Sequence, residues 1–125
     1  MSVILPHDHG HNEIDEALAS TKDSESFSAL AELFKQVADG TRLRIFWILC
    51  HSEECVINLS ALMNMSSPAV SHHLKLLKGA GLVVSRREEK EVYYKASDSE
   101  KARLLHDMIE ELGALVCPED SCFMK

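Results

Sequence analysis

The chain of 125 residues has no long apolar run and little cysteine. Its most apolar stretch, Phe46-Trp47-Ile48-Leu49-Cys50, is far shorter than the roughly 18–20 residues that span a bilayer. Met1 to His11 has neither a basic start nor an apolar middle, so no secretory signal is expected. These absences predict a soluble, cytoplasmic protein with no membrane partner. Four cysteines, Cys50, Cys55, Cys117 and Cys122, are too few and too scattered for a secreted disulfide scaffold. Metal ligation, redox sensing and burial remain open to them, and Cys50, inside an apolar helical stretch, reads as core. There is no Gly-rich phosphate loop and no nucleophile–base–orienter set, which argues against an enzyme.

Positive charge is also scarce overall, with a net charge of −7. Its distribution matters more than its sum. Residues 1–34 hold one lysine against seven acids, and residues 96–125 hold three cations against seven acids. Residues 66–95 reverse this, with six cations against three acids. A local basic patch can bind nucleic acid while acidic ends keep the chain soluble.

Inside that patch lies the clearest helix signal, Ser66-Ser67-Pro68-Ala69-Val70-Ser71-His72-His73-Leu74-Lys75-Leu76-Leu77-Lys78-Gly79. Ser67 is a candidate cap and Pro68 suits the first helical position. Val70, Leu74 and Leu77 make an apolar stripe, and Gly79 and Gly81 are stops. The opposite face carries Ser66, Ser67, Ala69, Ser71, His72, Lys75 and Lys78, a set of small groups, an imidazole and cations that suits a major groove. An ordinary solvated helix face has the same polarity, so the flanking elements must decide.

Upstream, the periodicity predicts a short helix from Glu13 to Ala19, another from Glu25 to Ala38, and a buried one from Thr41 to His51. Asp39-Gly40 reads as a stop, with Thr41 as the next cap. Asn58 can cap a brief helix to Met63, and a short turn then joins two helices as a helix-turn-helix. Downstream, Leu82–Arg87 and Glu91–Ala96 read as a β-hairpin with its tip at Glu88-Glu89-Lys90. This is a wing, whose Arg86, Arg87 and Lys90 could meet phosphates or a minor groove. Ser97 and Glu100 match a capping box for a last helix bearing Leu105, Met108, Ile109, Leu112 and Val116. One apolar stripe on a terminal helix of so small a domain predicts a homodimer through this helix and the N-terminal one.

The expected fold is therefore mainly α with a small β-hairpin, a winged helix-turn-helix with terminal helices at the dimer interface. Residues 1–24 form a His-containing tail and short helix, 25–116 the DNA-binding and dimerisation domain, and 117–125 a Cys-containing tail.

The chain resembles the ArsR/SmtB family of metal-responsive repressors over about residues 25–112. The residues that carry this are Leu33 to Ile45, Cys55-Val56, Ser71-His72-His73-Leu74-Lys75-Leu76-Leu77, Gly81-Leu82-Val83, Arg86-Arg87 and Val92-Tyr93-Tyr94. The resemblance implies a dimer that binds double-stranded operator DNA. It also implies release when a metal effector binds, so that metal efflux or resistance genes are expressed. Many members carry Glu-Leu-Cys-Val-Cys-Asp-Leu before the helix-turn-helix; here it is Glu53-Glu54-Cys55-Val56-Ile57-Asn58-Leu59. The first cysteine is kept, the second is Ile57. Cys55 joined by His7, His9 and His11, and by Cys117 and Cys122, would suit a divalent ion such as Zn²⁺ or Cd²⁺. A second site of the family lies on the last helix. Of its positions only Asp98 keeps its type, while His106 and Glu110 offer a different carboxylate–imidazole pair. A thiol-responsive repressor of the same fold, or a metal-binding protein without DNA, are the alternatives.

Overall fold

Helices dominate the computed structural model, which describes residues 6–7, 13–20 and 24–117. No helix is long and apolar enough to cross a membrane among the described residues. The chain divides into two units, residues 1–35 and 36–125.

The first unit holds α1 (Glu13–Ser20) and most of α2 (Ser24–Val37). Three acids in the first turn of α1 face its positive dipole end. The expected stripe of α2 is present, but Phe27, Leu30 and Phe34 are all exposed and no residue of α2 is buried.

The second unit is built on α3 (Gly40–His51). Asp39, not Thr41, caps it: its carboxylate accepts from the Arg42 N–H at 2.9 Å. The Asp39-Gly40 pair is thus a start, with Gly40 already helical, because Asp39 can satisfy an orphan amide that Thr41 sits too far along to reach. Ile45, Phe46 and Leu49 of α3 are 0–2% exposed and form the centre of the core. Arg42 is buried as well. Its guanidinium donates to the Gln36 carbonyl and, through Nε, to Nδ1 of His73 at 3.2 Å.

Next come β1 (Glu54–Cys55), α4 (Val56–Met63), α5 (Ser67–Gly79), β2 (Val83–Glu88), β3 (Glu91–Ala96) and α6 (Glu100–Val116). The sheet is antiparallel in the order β1-β3-β2, with Cys55 opposite Tyr93 and Glu88 opposite Glu91. The hairpin was expected; β1 was not, because two residues are too few to show a period of two. The tip is the pair Glu89-Lys90, one residue tighter than predicted, with Glu89 at φ 57°. Ser99 caps α6 by accepting from the Ala102 N–H at 3.1 Å. The expected cap, Ser97, instead donates to the Gly81 carbonyl at 3.0 Å and ties the end of the wing to the turn after α5.

Candidate nucleic-acid interface

The helix-turn-helix starts from a tight joint. α4 ends on Asn64 in the left-handed region at φ 53°, a conformation asparagine tolerates. The Met65 amide then donates to the Ser60 carbonyl at 3.1 Å. Ser66 caps α5 by accepting from the Ala69 N–H at 3.3 Å, and Pro68 sits in its first turn. The cap is one residue earlier than predicted. Ser67 takes another role: its hydroxyl shares a 3.0 Å hydrogen bond with Ser60 and locks α4 to α5.

Val70, Leu74 and Leu77 are 0–1% exposed, which fixes the rotation of α5. The opposite face then presents Ser71, His72, Lys75 and Lys78 to solvent, with Ala69 half-buried beside them. Lys78 donates to Ser85 of β2 at 2.7 Å, so helix and wing meet at a cation. His73 turns inward onto Arg42. Burial holds its imidazole below the usual range; Arg42 and His72 add to this, while Asp39 opposes it.

The wing cations separate into two kinds. Arg87 and Lys90 are exposed near the tip, with Arg87 donating only to the Glu89 carbonyl at 3.3 Å. Arg86 is committed elsewhere. It makes a two-pronged bond to Glu53 at 2.8 and 3.0 Å and a third bond to Glu88 at 2.6 Å, and it lies 4.9 Å over the Tyr93 ring. These bonds, Glu53's first, hold the guanidinium still more firmly protonated, and they pull the Glu53 carboxyl below its ordinary value. Arg86 thus reaches from β2 over Tyr93 of β3 to Glu53 beside β1, with its side chain still 49% exposed. The charge pattern alone could not show that Glu53 would face it.

Of the predicted metal ligands, His7, Cys55, Asp98, His106, Glu110 and Cys117 lie among the described residues. Cys55 is 9% exposed, packed in β1 opposite Tyr93, and the second thiolate position is held by Ile57, which is 65% exposed. The residues present there do not fit a paired-thiolate site. His7 is exposed; His9, His11 and Cys122 lie outside the described residues. Cys117, which closes α6, is in a disulfide and so presents no thiolate. Asp98 is exposed before α6. His106 and Glu110 do pair, with Nε2 and Oε1 2.9 Å apart. A third group, unforeseen, joins them: Nε2 of His51, at the end of α3, is 3.3 Å from Nε2 of His106. Nothing in a one-chain pattern links positions 51 and 106, since only the packing of α3 on α6 brings them together. Cys50 is half-buried rather than core, and burial with the nearby Glu110 charge pushes its thiol up to about 11.

Two helices joined by a locked turn, a polar and cationic outer face on the second, and a two-stranded wing define a winged helix-turn-helix DNA-binding protein. Residues 39–85 match the model of the bacterial regulatory protein, arsR family. The chain belongs to the arsR family, whose members are regulators rather than enzymes. It is 39% identical over 83 residues to a transcriptional repressor SmtB homolog of Synechocystis, covering 66% of this chain and 63% of that one. It is 36% identical over 77 residues to a cadmium resistance transcriptional regulatory protein CadC homolog of Staphylococcus aureus, covering 61% and 64%. The chain thus spans under two thirds of the length of these relatives. Among solved structures it is similar to a homodimeric winged helix-turn-helix domain from Mycobacterium bovis, a possible ArsR-family regulator, with a TM-score of 0.63 at 29% identity over 82% of this chain and 90% of that one.

Proposed function

We propose that the chain is a cytoplasmic homodimeric repressor that binds double-stranded operator DNA and lets go when a divalent metal ion binds, controlling metal efflux or resistance genes. The observation that carries the DNA-binding part is the outer face of α5. Ser71, His72, Lys75 and Lys78 stand exposed over a fully buried stripe, and Arg87 and Lys90 extend the same positive segment into the wing. Short side chains near the start of α5 read base edges, while the lysines and the wing cations meet phosphates. Dimerisation is supported by the homodimeric neighbour and by the apolar faces that α2 and α6 each leave in solvent. The metal part is supported by the name of the cadmium-resistance relative and by the imidazole–carboxylate group at the end of α3.

The test is a fluorescence-anisotropy titration of the reduced protein on its own upstream DNA, alone and with Zn²⁺, Cd²⁺, Co²⁺, Ni²⁺ or Pb²⁺. Tight binding without metal and release by one of these ions is the expected result. The free thiols of Cys50 and Cys55 support a second reading, in which thiol oxidation is the signal. Release by peroxide in the presence of a chelator, with no release by any metal, selects that reading over the first.

A further inference from the structure

We infer that His51, His106 and Glu110 form a binding site, within a single protomer, for a borderline divalent cation of the Zn²⁺ class. Among the described residues this is the group of three metal-ligating side chains whose donor atoms all lie within 4.8 Å of one another. The edges have the right length. Ligand atoms around a tetrahedral ion with bonds of about 2.0–2.1 Å are roughly 3.3 Å apart. Here the two measured edges are 3.3 Å between the imidazole nitrogens and 2.9 Å from His106 to Glu110.

Glu110 supplies the second, independent observation. It is 8% exposed, and its Oε1 is buried without a hydrogen bond; His106 approaches at ion-pair distance but out of line. A buried carboxylate oxygen met by an imidazole at ion-pair distance but by no hydrogen bond costs stability, and a cation between it and two imidazoles would offset that cost. The rings are also held. His51 packs on Trp47, with centroids 4.4 Å apart, and edge-on against His106 at 5.2 Å. The Nδ1 of His106 lies 4.0 Å from the exposed carboxylate of Asp107, beyond hydrogen-bond reach. A cleft of about 530 Å³ opens beside His51 and His106, giving an entry path and room for water as a further ligand.

Two imidazoles and a carboxylate, without thiolate, select Zn²⁺, Co²⁺ or Ni²⁺ over softer ions. The site joins the end of α3, which leads directly into β1 and the helix-turn-helix, to α6 with its exposed apolar stripe. Its regulatory meaning rests on the repressor reading above; the binding itself does not.

The test is a Co²⁺ titration of the reduced full-length chain, followed by visible absorption. Ligand-field bands without a thiolate charge-transfer band are expected, saturating at one ion per protomer. H51Q and H106Q lower the affinity by more than about 100-fold, beyond what losing an outer-shell partner costs. C55S and the triple change H7Q/H9Q/H11Q leave the bands in place. Bands that survive H51Q and H106Q, or that vanish in C55S or in the tail variant, overturn the site. H51Q alters an exposed helix end, so an unchanged melting curve and unchanged metal-free DNA affinity exclude misfolding as the cause of its loss. A Co²⁺ site that behaves as expected in a protein that keeps its DNA with metal present leaves the site standing and removes metal-triggered release. The same site in a protein that never binds DNA removes the repressor reading alone.

Discussion

Helices α5 and α6 are both amphipathic, yet they treat their apolar residues in opposite ways. α5 hides Val70, Leu74 and Leu77 completely and shows solvent its serine, histidine and lysines. α6 buries Ala102, Gly113 and the carboxylate Glu110, and leaves Leu104, Met108, Leu112, Leu115 and Val116 outside, at 42–83% exposure. The first arrangement closes a core and leaves a polar face free to meet a polyanion. The second is unfinished in a lone chain: an apolar stripe asks for another protein surface, and a buried acid asks for a cation. Seventeen residues of amphipathic helix are thus a poor guide to where the inside is, unless one asks what each face touches.

The sharpest way to break the comparison is to cut each helix on its leucines. Leu74→Ala in α5 should cost about 2–5 kcal/mol, since it opens a cavity against α3 and α4, and chemical denaturation would show this as an earlier midpoint. Leu112→Glu in α6 should act on association instead. It should weaken a dimer by about 2 kcal/mol or more, as loss of a central apolar anchor does. Sedimentation equilibrium should show monomers at concentrations where the parent is dimeric. If Leu112→Glu changes only the denaturation midpoint and never the mass, the stripe on α6 is not an interface.

A smaller effect separates the cations of the positive segment. Lys75→Ala on α5 and Arg87→Ala in the wing should each weaken DNA binding on all sequences alike. Each should also reduce the salt slope by about one for every phosphate that is no longer neutralised. Arg86→Ala should leave that slope as it is, because its guanidinium is held by Glu53 and Glu88. A salt slope that drops equally for Arg86→Ala and Arg87→Ala would show that the ion pair opens on the duplex.

The difference between Arg86 and Arg87 also marks what the sequence could tell. The stripe Val70–Leu74–Leu77 and the alternation in Glu91–Ala96 are local signals, and both elements stand where the periods put them. Three caps were right in kind and wrong by one or two residues: Ser66 for Ser67, Asp39 for Thr41, Ser99 for Ser97; the fourth, Asn58, lies inside α4 and donates to Glu54, while Cys55 at the cap position makes no side-chain cap bond. Neighbouring hydroxyls or acids compete for the same amide, and only backbone geometry decides among them. Partners far apart in the chain were beyond reach. Glu53 meeting Arg86, and His51 meeting His106, depend on β1 joining the sheet and α3 packing on α6. Cys55 is a different case: its motif position suggested a ligand, and its burial in β1 opposite Tyr93 was not legible from that motif.

Histidine gives the finest version of the comparison. His106 on α6 faces a carboxylate, whereas His73 on α5 is half-buried against the Arg42 cation, with Asp39 opposing. Folding therefore holds His73 below its ordinary value of 6.5. Between the folded value and 6.5 the unfolded chain binds more protons, so stability rises with pH across that window and is lost as pH falls through it. Asp39, whose carboxyl the Arg42 amide bond holds below 3.8, adds a separate loss only in stronger acid. Thermal melts at about pH 7.5 and pH 5.5, on either side of the imidazole range, should therefore show a lower midpoint in acid for the parent. His73→Gln keeps an acceptor for Arg42 Nε and removes the titration, so its two midpoints should lie closer together. Equal pH sensitivity in parent and variant would mean that His73 is not where the stabilising proton balance is set.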